Sequence, residues 1–169
     1  MNEKDLARAE LIRRALERYE RPLVRYAQRI TGDLDRARDV VQETFLKLWQ
    51  GRAPDDAALA TWLFTVCRNA SLSVRRKEKR MSHLETNADV RAGESPGPAA
   101  AMQQQEDLGR AAAAMATLPA RQQEILRLKF QEGFSYKQIA EITSLSASNV
   151  GFLIHTGIKR IQELLQAQA

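Results

Sequence analysis

The chain has 169 residues, 26 of them Lys or Arg against 21 Asp or Glu, and a net charge of +5. With 44% apolar and 28% charged residues it has the make-up of a soluble globular protein, long enough for one ordinary domain or two small ones. The single cysteine, Cys67, excludes a disulfide framework, and His83 and His155 lie far apart without ligand spacing, so neither a metal nor another cofactor is expected.

The opening MNEKDLARAE is charged and lacks the apolar core of a signal peptide, and no run approaches a membrane span. A cytoplasmic protein without membrane insertion is expected. Charge is unevenly placed. Residues 1–81 hold 18 basic and 12 acidic side chains, residues 82–108 one and five, and residues 109–169 seven and four. Two basic ends flank an acidic middle, which favours an anionic partner without identifying it.

Helical periodicity dominates and strand signals are nearly absent. Residues 5–30 fit one helix or two. Thr31-Gly32-Asp33 interrupts the pattern, with Asp33 placed as an N-cap. Leu34 to Gln50 is a predicted helix whose core stripe is Leu34, Ala37, Val41, Phe45 and Leu48. Its opposite face carries Asp35, Asp39, Gln42, Glu43 and Gln50, with Leu46 in their midst. That face is either a solvated acidic surface with one exposed leucine, or an apolar anchor rimmed by acids and suited to a basic partner.

Residues 51–56 form a loop, and Ala57 to about Arg80 a long helix. Leu59, Leu63, Val66, Cys67, Ala70 and Val74 fall on its apolar face, with Trp62 at the border. Arg68, Leu72, Arg75, Arg76 and Lys79 fall on the other, with Thr65 and Asn69 at the edge. Arg75, Arg76, Lys77, Lys79 and Arg80 crowd six positions, a density that suits phosphate contact as well as plain solvation. Cys67 is expected to be a small buried hydrophobe.

The stretch SHLETNADVRAGESPGP (82–98) is polar, contains Gly and Pro and has no period, which predicts a linker. Ala99 to Ala116 is Ala-rich and helical. Pro119 opens the next helix and Gly133 ends it. Ser135 and Gln138 make a capping box for SYKQIAEI, and Ser146 caps the last helix. Thr143-Ser144-Leu145 stands in the turn between these two helices, with Ser144 where a glycine is usual. Val150, Ile154, Ile158, Ile161 and Leu165 form the last helix's core stripe. Ser148, Asn149, Phe152, His155, Thr156, Lys159 and Arg160 lie opposite, which is the sequence form of a helix-turn-helix whose second helix enters the DNA major groove. The expected architecture is all-α: two small helical domains, 1–81 and 99–169, on a flexible linker, the second with the helix-turn-helix.

With these residues in hand, the chain resembles bacterial RNA polymerase sigma factors of the extracytoplasmic-function (ECF) type. Residues 33–50 resemble the family's main core-polymerase-binding helix, residues 61–80 its minus-ten promoter-reading helix, and residues 118–164 its fourth conserved region, which reads the minus-thirty-five element. Ser73 stands where the minus-ten helix often has an acid, and Gly151 and Leu153 where the recognition helix often has basic residues.

The resemblance implies a promoter-specificity subunit without catalytic residues of its own. Asp35, Asp39, Gln42, Glu43 and Leu46 would bind core polymerase. Arg68, Asn69, Arg75, Arg76 and Lys79 would contact melted minus-ten DNA. Residues Gly51 to Ala60 would shape a pocket for a flipped base. Ser148, Asn149, Phe152, His155, Thr156, Lys159 and Arg160 would contact the minus-thirty-five duplex. It also admits an anti-sigma factor as partner. A free-standing helix-turn-helix regulator and a non-reading decoy are the rival readings.

Overall fold

The computed structural model describes residues 2–82 and 102–169, and every regular element among them is an α-helix. The chain divides into two units, Met1–Glu94 and Ser95–Ala169. The expected linker, 82–98, lies outside the described residues apart from Ser82, which ends a helix. Residues 99–101 of the expected Ala-rich helix also lie outside.

The first unit is built from α1 (Glu3–Thr31), α2 (Leu34–Gln50) and α3 (Asp56–Ser82), each packed on the other two. Residues 5–30 are one helix, not two: α1 runs through Pro22. An internal proline forfeits a backbone hydrogen bond and costs about 3 kcal/mol in an unsupported helix. Leu23, Tyr26 and Ala27, buried just beyond it, hold that segment against the other helices. Gly32 ends α1 with φ 75°, a left-handed conformation that glycine adopts without strain. Asp33 then caps α2, its carboxylate accepting the Arg36 N–H at 2.9 Å.

The core of this unit differs from the expected stripes at particular places. Leu34 is exposed, because it sits in the first turn of α2, ahead of the packed residues. On α3 the buried positions are Leu59, Thr61, Leu63, Phe64, Cys67 and Ser71, while Val66, Ala70 and Val74 are only half-buried. The stripe is turned toward α1 because Phe64 packs against Tyr26, ring centroids 5.2 Å apart. Cys67 is fully buried, as expected.

The second unit holds α4 (Met102–Ala116), α5 (Ala120–Phe130), α6 (Tyr136–Thr143) and α7 (Ala147–Ala167). α7 packs against the other three, and its Val150 and Ile154 join Ile125, Leu126, Leu128, Phe134, Ile139 and Ile142 in the core. Ile158, Ile161 and Leu165 are half-buried. Pro119 occupies the N-cap position of α5. Gly133 does not cap that helix directly: α5 ends at Phe130, and Gly133, at φ 75°, turns the chain three residues later so that Phe134 re-enters the core.

Candidate functional site

The first surface of interest is the outer side of α2. Asp35, Asp39, Gln42, Glu43 and Leu46 are all exposed there. The ion pairs on this face are loose or exposed: Arg38 with Asp35 at 4.0 Å and Lys47 with Glu43 at 2.9 Å, both within one helix turn. Leu46 is 53% exposed, and it is not alone, since Trp49 three residues on is 46% exposed. Both open onto a groove of about 870 Å³ between α1 and α2. Ile12, Leu16 and Val24 of α1 form its opposite wall, Val41 and Phe45 its floor, and Glu20, Arg21, Arg25 and Arg38 its charged lining. The two walls are tied at one end by Arg8, whose Nη2 donates to the Leu48 carbonyl at 3.3 Å.

Sequence reasoning missed Trp49 and the α1 wall. The signal for Trp49 was its i+3 spacing from Leu46. Ile12, Leu16 and Val24 also recur at multiples of four, but the groove exists only through the pairing of two helices.

The second surface is the C-terminal half of α3. Asn69, Arg75, Arg76 and Lys79 are exposed and Arg68 is half-buried. Arg68, Arg75 and Lys79 recur at helical spacing on one stripe. Arg76 Nε donates to the Leu72 carbonyl at 3.3 Å, which leans its guanidinium back along the helix. Asn69 is set apart from the stripe, lining a small pocket of about 340 Å³ with Ser73 and Lys77 of α3 and Glu43 and Lys47 of α2. An ion pair between Arg36 and Glu78 braces α2 against the basic end of α3. Of the stretch Gly51 to Ala60, residues 56–60 are already helical, so the loop proper is five residues long.

The third surface is built by α6 and α7. The Ser135 side chain accepts the Gln138 N–H at 3.2 Å, and Gln138 Oε1 accepts the Ser135 N–H at 2.9 Å, the reciprocal capping box. Ser144 closes α6 at φ 59°, the left-handed conformation for which glycine is the usual residue. Ser146 then caps α7 by accepting the Asn149 N–H at 3.1 Å. These two caps fix where α7 starts and therefore which side chains face out.

Ser148, Asn149, Phe152, His155, Lys159 and Arg160 are exposed on α7, Phe152 by 64%. Arg160 pairs with Glu163 at 3.6 Å. Thr156 is placed differently. It is half-buried, and its hydroxyl lies 3.0 Å from the Gln122 amide of α5. Neither Gln122 nor the buried Gly157 beside Thr156 was singled out in the sequence, where a glutamine and a glycine carry no periodic signal. Tyr136, at the start of α6, is exposed with Lys129 Nζ 5.2 Å from its ring centre.

Burial pushes the Cys67 thiol up to about 12, so it stays protonated and inert at neutral pH. Among the described residues no group of three or more His, Cys, Asp or Glu could hold a metal ion. No described helix is long and apolar enough to cross a membrane.

Three helical surfaces of this kind, one apolar and charged, one basic, one a helix-turn-helix, fit the architecture that the sequence resemblance implies. The family models agree: residues 15–81 match sigma-70 region 2, and residues 108–161 match sigma-70 region 4. The chain is 31% identical over 163 residues to the ECF RNA polymerase sigma factor SigL of Mycobacterium tuberculosis, covering 95% of this chain and 92% of that one. It superimposes on the sigma factor RpoE of Bartonella quintana, solved in complex with the anti-sigma factor NepR, with a TM-score of 0.69 and 29% identity over 93% of this chain and 98% of that one. CnrH, solved with the cytosolic domain of CnrY, shares the fold at a TM-score of 0.58, with 20% identity over 95% and 91% of the two chains. The chain belongs to the ECF RNA polymerase sigma factors, and it directs promoter-specific transcription initiation.

Proposed function

We propose that the three surfaces divide the work of initiation between the two units. The region 2 unit, which we take as 1–81, docks on core polymerase through Asp35, Asp39, Gln42, Glu43 and Leu46, with Trp49 and the α1 wall of the groove joining them. The observation that carries this reading is the pairing of Leu46 and Trp49, two large apolar side chains about half exposed at the mouth of an apolar groove. Exposed apolar surface rimmed by charge is the signature of a partner site.

Arg68, Asn69, Arg75, Arg76 and Lys79 hold promoter DNA at the minus-ten element, the loop from Gly51 shapes the pocket for a flipped base, and α7 of the unit from residue 99 reads the minus-thirty-five duplex. The chain does no bond-making chemistry itself and works in the cytoplasm with polymerase. Its partner set extends to an anti-sigma factor, a reading supported by the likeness to RpoE, which was solved bound to one.

Leu46→Arg tests the polymerase contact. A cation inserted among the groove's apolar side chains should abolish capture of core polymerase in a pull-down while the helical circular dichroism spectrum and melting temperature stay unchanged. Capture at wild-type level by the folded variant would remove Leu46 from the interface.

A further inference from the structure

We propose that Gln122, Thr156 and Gly157 form a seat that fixes the rotation and depth of α7 against α5, which makes Gln122 a positioning residue for minus-thirty-five recognition. The proposal rests on the reading of α7 as the promoter-reading helix. Gln122 lies in the first turn of α5, and its Nε2 donates to the Leu153 carbonyl at 2.9 Å and to Thr156 Oγ1 at 3.0 Å. A carbonyl only accepts, so the amide must face α7 with its nitrogen. The Thr156 hydroxyl donates in turn to the Phe152 carbonyl at 2.9 Å, leaving its oxygen to accept from Gln122. One amide thus holds a backbone atom and a side chain three residues apart on α7, which opposes both rolling and sliding of that helix.

The glycine completes the seat. Gly157 is buried, and a Cβ placed on it would stand 3.0 Å from Leu126 Cδ1 and 3.2 Å from Gln122 Cγ. α7 therefore lies close enough to α5 that a side chain at 157 would require Leu126 and Gln122 to give by a few tenths of an ångström. The consequence falls on Phe152 and His155, which stand outward on the same turns, and on Asn149, which shares a helical stripe with Thr156 two turns nearer the N-terminus. A helix with its side chains has a radius of about 5–6 Å, so a roll of roughly 10° moves a side-chain tip by about 1 Å. Hydrogen bonds to base edges tolerate only a few tenths of an ångström around their optimum. Thr156 on this account acts from the inner side of α7, and the outward reading set is Ser148, Asn149, Phe152 and His155, with Lys159 and Arg160 toward phosphate.

The experiment is transcription by core polymerase reconstituted with the full chain, from templates randomised at the minus-thirty-five element and fixed at the minus-ten. Wild type is compared with Gln122→Leu, Thr156→Val and Thr156→Ser, each also melted thermally. Gln122→Leu and Thr156→Val, which remove the donor and the acceptor, should each flatten the minus-thirty-five preference by about fivefold to tenfold, the scale of one bidentate base contact. Thr156→Ser, which keeps the hydroxyl, should retain the wild-type preference. Unchanged preference in both Leu and Val variants, with only a lower melting temperature, overturns the seat and leaves ordinary packing. Where Gln122→Leu does not fold, the Val and Ser variants at 156 decide the question by the same criterion. A wild-type chain with no minus-thirty-five preference overturns the reading of α7 itself, an outcome distinct from a wild-type preference that the variants leave intact.

Discussion

Two residues show how single positions carry the fold's chemistry. Ser144 holds a left-handed conformation at the turn between α6 and α7, where a Cβ costs roughly 1–2 kcal/mol and glycine's greater freedom in the unfolded chain returns part of the gain. Ser144→Gly should stabilise the chain by about 0.5–1 kcal/mol, read as a rise of a few degrees in the melting temperature, whereas Ser144→Val should lower it. A fall on substitution by glycine would mean that the serine hydroxyl supports the turn. Cys67 makes the opposite point. Its thiol is raised from 9.0 to about 12 by burial. The neutral form is thus favoured in the folded state, so its contribution is intact below about pH 9 and is lost as pH rises toward 12. Cys67→Ala should show a shallower loss of stability than wild type across that window in urea titrations. Parallel curves would show that the thiol does not titrate with unfolding.

At the scale of the element, α3 and α7 were legible in the sequence to different degrees. α7 declared itself through local chemistry: a cap at Ser146 and a regular apolar stripe, both within reach of neighbouring residues in the chain. α3 has apolar side chains on more than one face, so periodicity alone placed Val66, Ala70 and Val74 in the core and left out Phe64. Only the contact with Tyr26 of α1, nearly forty positions earlier, decides which face turns inward. The groove beside Leu46 was half legible for the same reason, since its second wall belongs to α1. The Gln122–Thr156–Gly157 arrangement was not legible at all, because it depends on a close helix crossing that no spacing rule encodes. The basic stripe of α3, by contrast, is a matter of composition and can be tested as an element. Replacing Arg75 and Arg76 together by Ala should weaken open-complex formation and flatten its dependence on salt by a slope of about 2, one unit for each phosphate no longer neutralised. An unchanged slope in a salt titration would place these arginines away from the DNA.

For the whole molecule, the matches of both units to sigma-70 regions 2 and 4 and the distribution of surfaces make one functional statement. The unit built from α1, α2 and α3 carries an apolar groove and a basic helix, and the unit built from α4 to α7 carries a helix-turn-helix. On this reading either unit alone would meet a single promoter element. On the proposed division of work, one chain confers on core polymerase a preference at two separate promoter elements. The most direct measurement is run-off transcription with purified core polymerase and this chain, from a template library randomised at both elements. Transcripts should depend on the chain, and the enriched templates should share a defined sequence at each element, with either scrambled element reducing product. Chain-independent transcription, or enrichment with no common sequence at both elements, would contradict it.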